Sequence, residues 1–106
     1  MNNNDKYLKF CIYKIYQNDD PTMFYIGSTT NFSGRKSSHK KAVNNRTSKK
    51  YHCPLYQYIR ALGGWDKFTY ELYEKYPCNT KGDGLLREKE LIKELGAKLN
   101  SINPIK

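Results

Sequence analysis

The sequence predicts an α/β domain, more narrowly an α+β sandwich: a small three-stranded antiparallel sheet flanked by three helices in the order β-β-α-α-β-α. Three observations predict it. Two aromatic and β-branched stretches lie near the start, separated by a run of turn formers. Two stretches with helical spacing of apolar residues follow, each with start or stop signals. A further alternating stretch then precedes a last helical stripe, so the third strand arrives only after two helices. The 106 residues suit one domain, with room for one modest core.

Residues 1–6 are polar, with three consecutive asparagines, and read as a frayed terminus. Tyr7–Tyr16 carries the first strand pattern, with Cys11, Tyr13 and Ile15 on one face and Ile12 and Tyr16 on the other. Gln17-Asn18-Asp19-Asp20-Pro21 is dense in turn formers. Met23–Gly27 reads as the second strand, antiparallel to the first, with Tyr25 and Gly27 sharing a face. Thr30 or Asn31 caps a helix beginning near Phe32. Its core-facing stripe is Phe32, Arg35, His39 and Ala42 or Val43, so a cation and an imidazole occupy two positions where apolar residues are expected.

Asn44–Tyr51 is polar and basic and reads as an exposed loop. Pro54 suits the first position of a second helix, whose stripe is Leu55, Tyr58, Ile59 and Leu62 and whose end is Gly63-Gly64. Trp65–Tyr76 alternates through Phe68, Tyr70 and Leu72 as the third strand. Pro77–Gly84 reads as a loop, and the last helix as Leu85–Leu95, stopped by Gly96, with a stripe of Leu85, Glu88, Leu91/Ile92 and Leu95. Glu90 and Glu94 lie off that stripe among lysines, so Glu88 is the one acid on its buried side. Residues 98–104 are expected to pack back in extended form.

Formal charge is +9, with a pI near 9.5, which favours a polyanionic partner. Placement sharpens this: from Pro21 to Trp65 there is no acid, while Arg35, Lys36, Lys40, Lys41, Arg46, Lys49, Lys50 and Arg60 fall inside the span. One face is therefore basic, as a nucleic-acid footprint requires. Ten tyrosines, each an apolar ring with a polar tip, imply a core built partly from rings whose hydroxyls need partners. Three scattered cysteines provide neither a disulfide framework nor the paired spacing of a zinc site, so a reducing, intracellular compartment (cytoplasm or nucleus) is expected. Neither a signal peptide nor an apolar run long enough to span a membrane is visible.

Arg35, His39, Glu88 and the facing Tyr13 all sit where an apolar residue would cost less. One explanation is a buried Glu88–Arg35 ion pair, a weak device for stability. The other is phosphate chemistry. A single carboxylate at Glu88 suits Mg2+, or Mn2+ in its place, which keeps most of its waters and takes substrate phosphate oxygens. Arg35 then meets charge building on the phosphoryl group, and a tyrosine or His39 handles the proton of the attacking water.

Cys11-Ile12-Tyr13, Tyr25-Ile26-Gly27, Arg35 eight positions past that glycine, His39 four beyond, the late-helix Glu88 and Leu99-Asn100 follow one another in order. Together, from about Phe10 to Pro104, they resemble the GIY-YIG nuclease domain. The resemblance implies divalent-metal-dependent cleavage of a phosphodiester, with Glu88 as metal ligand and Arg35 stabilising the phosphate. It further implies that Tyr13 and Tyr25 position or deprotonate water, and His39 matches the histidine of the homing-endonuclease and structure-specific subgroups. Cys11 stands where the first glycine is usual, and Ser28 where the excision-repair subgroup has lysine. Asn100 is preferred to Asn103 as the family's C-terminal asparagine, and His52 matches a histidine of some members.

Lys36, Lys40, Lys41, Arg46, His52 and Asn100 complete the set expected to face DNA, double-stranded or branched. Two other functions compete with a DNA endonuclease: a basic nucleic-acid-binding module without cleavage, and a catalytic subunit needing a partner. No sequence-reading motif is visible, so a homodimer or an accessory DNA-binding subunit is the expected source of target choice.

Overall fold

The computed structural model describes residues 5–102. Strand β1 (Cys11–Gln17) is central, paired antiparallel with β2 (Asp20–Thr29) on one side and β3 (Phe68–Lys75) on the other. Helices α1 (Phe32–Asn44), α2 (Pro54–Ala61) and α3 (Lys81–Leu95) complete the expected order β-β-α-α-β-α. As the middle strand, β1 is covered on both faces, and its parity divides the core. Tyr13 and Ile15 join Val43, Leu55, Tyr56, Ile59 and Trp65 beneath α1 and α2. Ile12 joins Phe10, Phe24, Ile26, Leu91 and Ala97 beneath α3.

Close pairing of β1 with β2 sets a steric requirement at one residue. Tyr13 lies opposite Gly27, and a Cβ built on Gly27 would fall inside the Tyr13 ring. Only glycine lets the ring lie across β2 there. Asn31 caps α1 by accepting from the Gly34 amide, and Pro54 opens α2, both as expected.

Several boundaries differ from the sequence expectation. Asp5–Lys9 form a 3-10 helix, so Tyr7–Lys9 are not strand and the frayed segment does not extend to residue 6. The Tyr7 carbonyl accepts from Phe10 and Cys78 amides, which replaces strand pairing there. The turn after β1 shrinks to Asn18-Asp19, and Trp65–Lys67 form a second 3-10 helix before β3. Leu72 keeps the parity of Phe68 and Tyr70 but stays 42% exposed on an edge strand.

In α2 the buried line is Leu55, Tyr56 and Ile59. Leu62, expected in the core, caps the helix and is 39% exposed, because Gly63-Gly64 (φ +116° and +105°) turn the chain away at that point. Helix α3 starts a turn earlier than expected, since Thr80 Oγ1 accepts from the Asp83 amide. Gly84 therefore lies inside the helix, where the Phe10 ring fills the space a Cβ would take. That close approach replaces Leu85 and Leu95 as the buried contact; both are exposed. The tail packs back through a 3-10 helix, Lys98–Asn100, with Leu99 buried, rather than in extended form. Asn103 and Pro104 lie outside the described residues.

Candidate active site

The site is assembled where the end of β2 meets α1 and α3. Arg35 and His39, one turn apart on α1, both point toward the sheet, and they end in different surroundings. His39 is 1% exposed and Tyr13 is fully buried. The Tyr13 hydroxyl lies 2.7 Å from His39 Nε2, and His39 Nδ1 lies 2.7 Å from the Tyr56 hydroxyl. Tyr13, Tyr25, Tyr56, Tyr70 and Trp65 surround the imidazole with rings. Burial first, then the positive charges of Arg35 and Lys50, hold His39 down at about 3, so it is neutral.

Arg35 is half-buried and donates from Nε to the Tyr13 hydroxyl at 3.3 Å. Its two terminal nitrogens have no hydrogen bond among the described residues, and its side chain lines an open cleft of about 300 Å3. Ser28, Thr29, Thr30, Lys6 and Lys81 line the same cleft, and no acid among the described residues does. Three cations and three aliphatic hydroxyls, beside Tyr7, Phe10 and Leu85, form a lining that suits a phosphate.

Glu88 on α3 is half-buried and accepts a 2.6 Å hydrogen bond from Ser28 Oγ. It forms no ion pair among the described residues, where the single ion pair is Arg87–Glu74. The buried Glu88–Arg35 pair considered from the sequence is therefore not formed. Tyr25 lies close by: burial, then the Glu88 charge, raise its hydroxyl above the usual phenol range. Tyr25 retains partial exposure, unlike Tyr13 and His39.

No group of three His, Cys, Asp or Glu side chains with metal-site geometry exists among the described residues. A lone carboxylate does not suit zinc, which takes three or four protein ligands drawn mostly from His and Cys. It does fit a hard ion such as Mg2+, whose other ligands are water and phosphate.

The remaining expected residues divide by exposure. Lys36, Lys40 and Lys41 are exposed along α1, and Arg46 and His52 are exposed in the following loop. The His52 ring stands edge-on to Tyr51 at 5.2 Å. Asn100 is committed to the fold: its amide accepts from the Ile26 amide and donates to the Ile26 carbonyl, both at 2.8 Å. Any influence of Asn100 on substrate passes through the placement of β2. Arg60, counted in the basic span, spends its guanidinium on the Val43 and Tyr51 carbonyls and lies 3.6 Å over the Tyr51 ring.

Sequence reasoning missed Tyr56 and the part played by Ser28. The buried line of α2 (Leu55, Tyr56, Ile59) includes Tyr56 where the expected stripe ran through Tyr58. The Ser28 contact joins residues sixty positions apart and has no local signal.

This fold, with an arginine and an acid converging beside paired strand tyrosines, is that of a small nuclease domain. The chain belongs to the GIY-YIG catalytic domain family, whose family model matches residues 9–103. It is similar to the structure of the catalytic domain of the homing endonuclease I-TevI, at 26% identity and a TM-score of 0.71, over 92% of this chain and 100% of that one. A mutant of the same intron endonuclease catalytic domain matches at 26% identity and 0.70, over 90% of this chain and 92% of that one. Comparison with curated proteins yields no significant match.

Proposed function

We propose that this domain is a divalent-metal-dependent endonuclease that hydrolyses phosphodiester bonds in DNA. The observation that carries the proposal is Arg35: its Nε is seated on the buried Tyr13 hydroxyl while its terminal nitrogens stay unspent toward a cationic cleft. A buried aromatic seat holds the guanidinium in place before substrate arrives, so stabilising the phosphoryl charge requires little reorganisation at the moment of reaction. A forked guanidinium also matches two phosphate oxygens at once.

Glu88, steadied by Ser28, would hold Mg2+ or Mn2+ together with the scissile phosphate. When bound, such an ion supplies Lewis-acid polarisation of the phosphate and lowers the pKa of coordinated water. Of the three groups considered for handling water, Tyr13 and His39 are buried, and Tyr25 keeps partial exposure. Tyr25 orients the attacking water. Its phenol stays protonated at neutral pH, so it works as a hydrogen-bond partner.

Lys36, Lys40, Lys41 and Arg46 draw the DNA backbone onto α1 and the loop, with exposed His52 beside them, while Asn100 contributes through the strand β2 that it pins at Ile26. A second DNA-binding element, for example another copy or an accessory subunit, would supply target choice. Three free cysteines agree with an intracellular, reducing setting.

The test is incubation with supercoiled, linear and branched DNA, each with Mg2+, with Mn2+ and with chelator. Nicking confined to the metal-containing reactions is the expected result. Binding without cutting in every reaction would favour the non-cleaving module.

A further inference from the structure

We propose that Tyr56 on α2 is a positioning residue for the reaction, the terminal member of a buried chain Arg35–Tyr13–His39–Tyr56 whose protons all point one way and which fixes the guanidinium through the tautomer of His39. The inference rests on the endonuclease reading for its effect on rate, though its structural half stands apart from it.

The direction follows from donor and acceptor capacity. A guanidinium can only donate, so the Tyr13 oxygen receives the Arg35 Nε hydrogen. The Tyr13 hydroxyl then has its own hydrogen to place, and His39 Nε2 stands 2.7 Å away as an acceptor. A neutral imidazole that accepts at Nε2 carries its hydrogen at Nδ1. That hydrogen meets the Tyr56 oxygen, also at 2.7 Å. Tyr56 is 4% exposed, so no bulk water substitutes for it. Burial first pushes its hydroxyl up to about 12, which keeps it a neutral phenol.

Removing the Tyr56 oxygen leaves a buried Nδ1–H without a partner, and that costs free energy. The imidazole escapes by moving its hydrogen to Nε2, where it donates to Tyr13. The Tyr13 oxygen then receives two donors, its own hydrogen loses its acceptor, and Arg35 no longer has a fixed seat. Tyr56 thus reaches the cleft only through two intermediates, and its loss touches neither the exposed lysines nor Glu88.

The test combines a spectroscopic and a kinetic readout on Tyr56→Phe. The chain has two histidines, so ring nitrogen NMR shifts assign readily, with His52→Gln removing the second set. Wild type should show His39 with hydrogen on Nδ1, and Tyr56→Phe should move it to Nε2. Single-turnover cleavage should fall about 10- to 100-fold with DNA affinity nearly unchanged, and the orphaned buried hydrogen should lower the melting temperature by several degrees while leaving the protein folded at the assay temperature. Hydrogen on Nε2 in the wild type overturns the proposal, and so does an unmoved tautomer or an unmoved rate in a folded Tyr56→Phe. Should that variant not fold, the wild-type ring shifts alone decide. A wild type that cuts no DNA sinks the nuclease reading, and the tautomer readout still decides the place of Tyr56.

Discussion

Ser28 Oγ, on the cleft lining, donates to the Glu88 carboxylate at 2.6 Å and so ties the end of β2 to α3. The contact settles a choice that the sequence left open. An acid on the buried side of α3 needed either a cation or a task, and the structure seats it on a neutral hydroxyl instead of Arg35. A carboxylate held that way keeps its charge available.

The core beneath α1 and α2 depends on Ile59 and not on Leu62. Ile59 is fully buried, whereas Leu62 is 39% exposed. Ile59→Ala should cost about 2–5 kcal/mol in urea unfolding, and Leu62→Ala under about 1 kcal/mol. A larger loss at Leu62 than at Ile59 would mean that α2 is rotated from this position.

That contrast shows which parts of the chain were legible in the sequence. Element order, the antiparallel sheet, the Asn31 cap and the inward line of Arg35 and His39 all follow from local periodicity and capping chemistry. Leu62 misled because a helical stripe does not announce where Gly63-Gly64 will turn it off. The α3 stripe misled for a different reason: Gly84 faces the core because Phe10, more than seventy residues earlier, needs the space. Contacts of that range leave no periodic trace. The same holds for Ser28–Glu88 and for the Asn100 clamp on Ile26.

Neutral His39 should give the fold a specific pH dependence. Folded, it is held at about 3 against an ordinary 6.5, so between those values the unfolded chain binds more protons. The stability tied to its neutrality is complete above about 6.5 and is lost as pH falls toward 3. The slope approaches about 1.4 kcal/mol per pH unit in that window. Urea midpoints of wild type and His39→Gln, taken from pH 7.5 to 4.5, should converge as pH falls. Parallel curves would contradict a buried neutral imidazole.

Duplex affinity should depend on salt through the exposed lysines of α1. Replacing both Lys40 and Lys41 with Ala should reduce the slope of log affinity against log salt by about one unit for each phosphate that is no longer neutralised, with no change in sequence preference. An unchanged slope would place the footprint on another face.

The central claim is that Glu88 acts through its charge on the reaction and not on the fold. Glu88→Gln keeps the side chain's shape and its contact with Ser28 while removing the negative charge, and Glu90→Gln makes the same change at an exposed position two residues along α3. The decisive measurement is Mg2+-dependent nicking of supercoiled DNA by both variants, beside their melting temperatures and DNA affinities. Glu88→Gln should lose cleavage while melting and binding as wild type does, and Glu90→Gln should match wild type throughout. A Glu88→Gln protein that still cuts, or that fails only because it unfolds, would contradict the assignment.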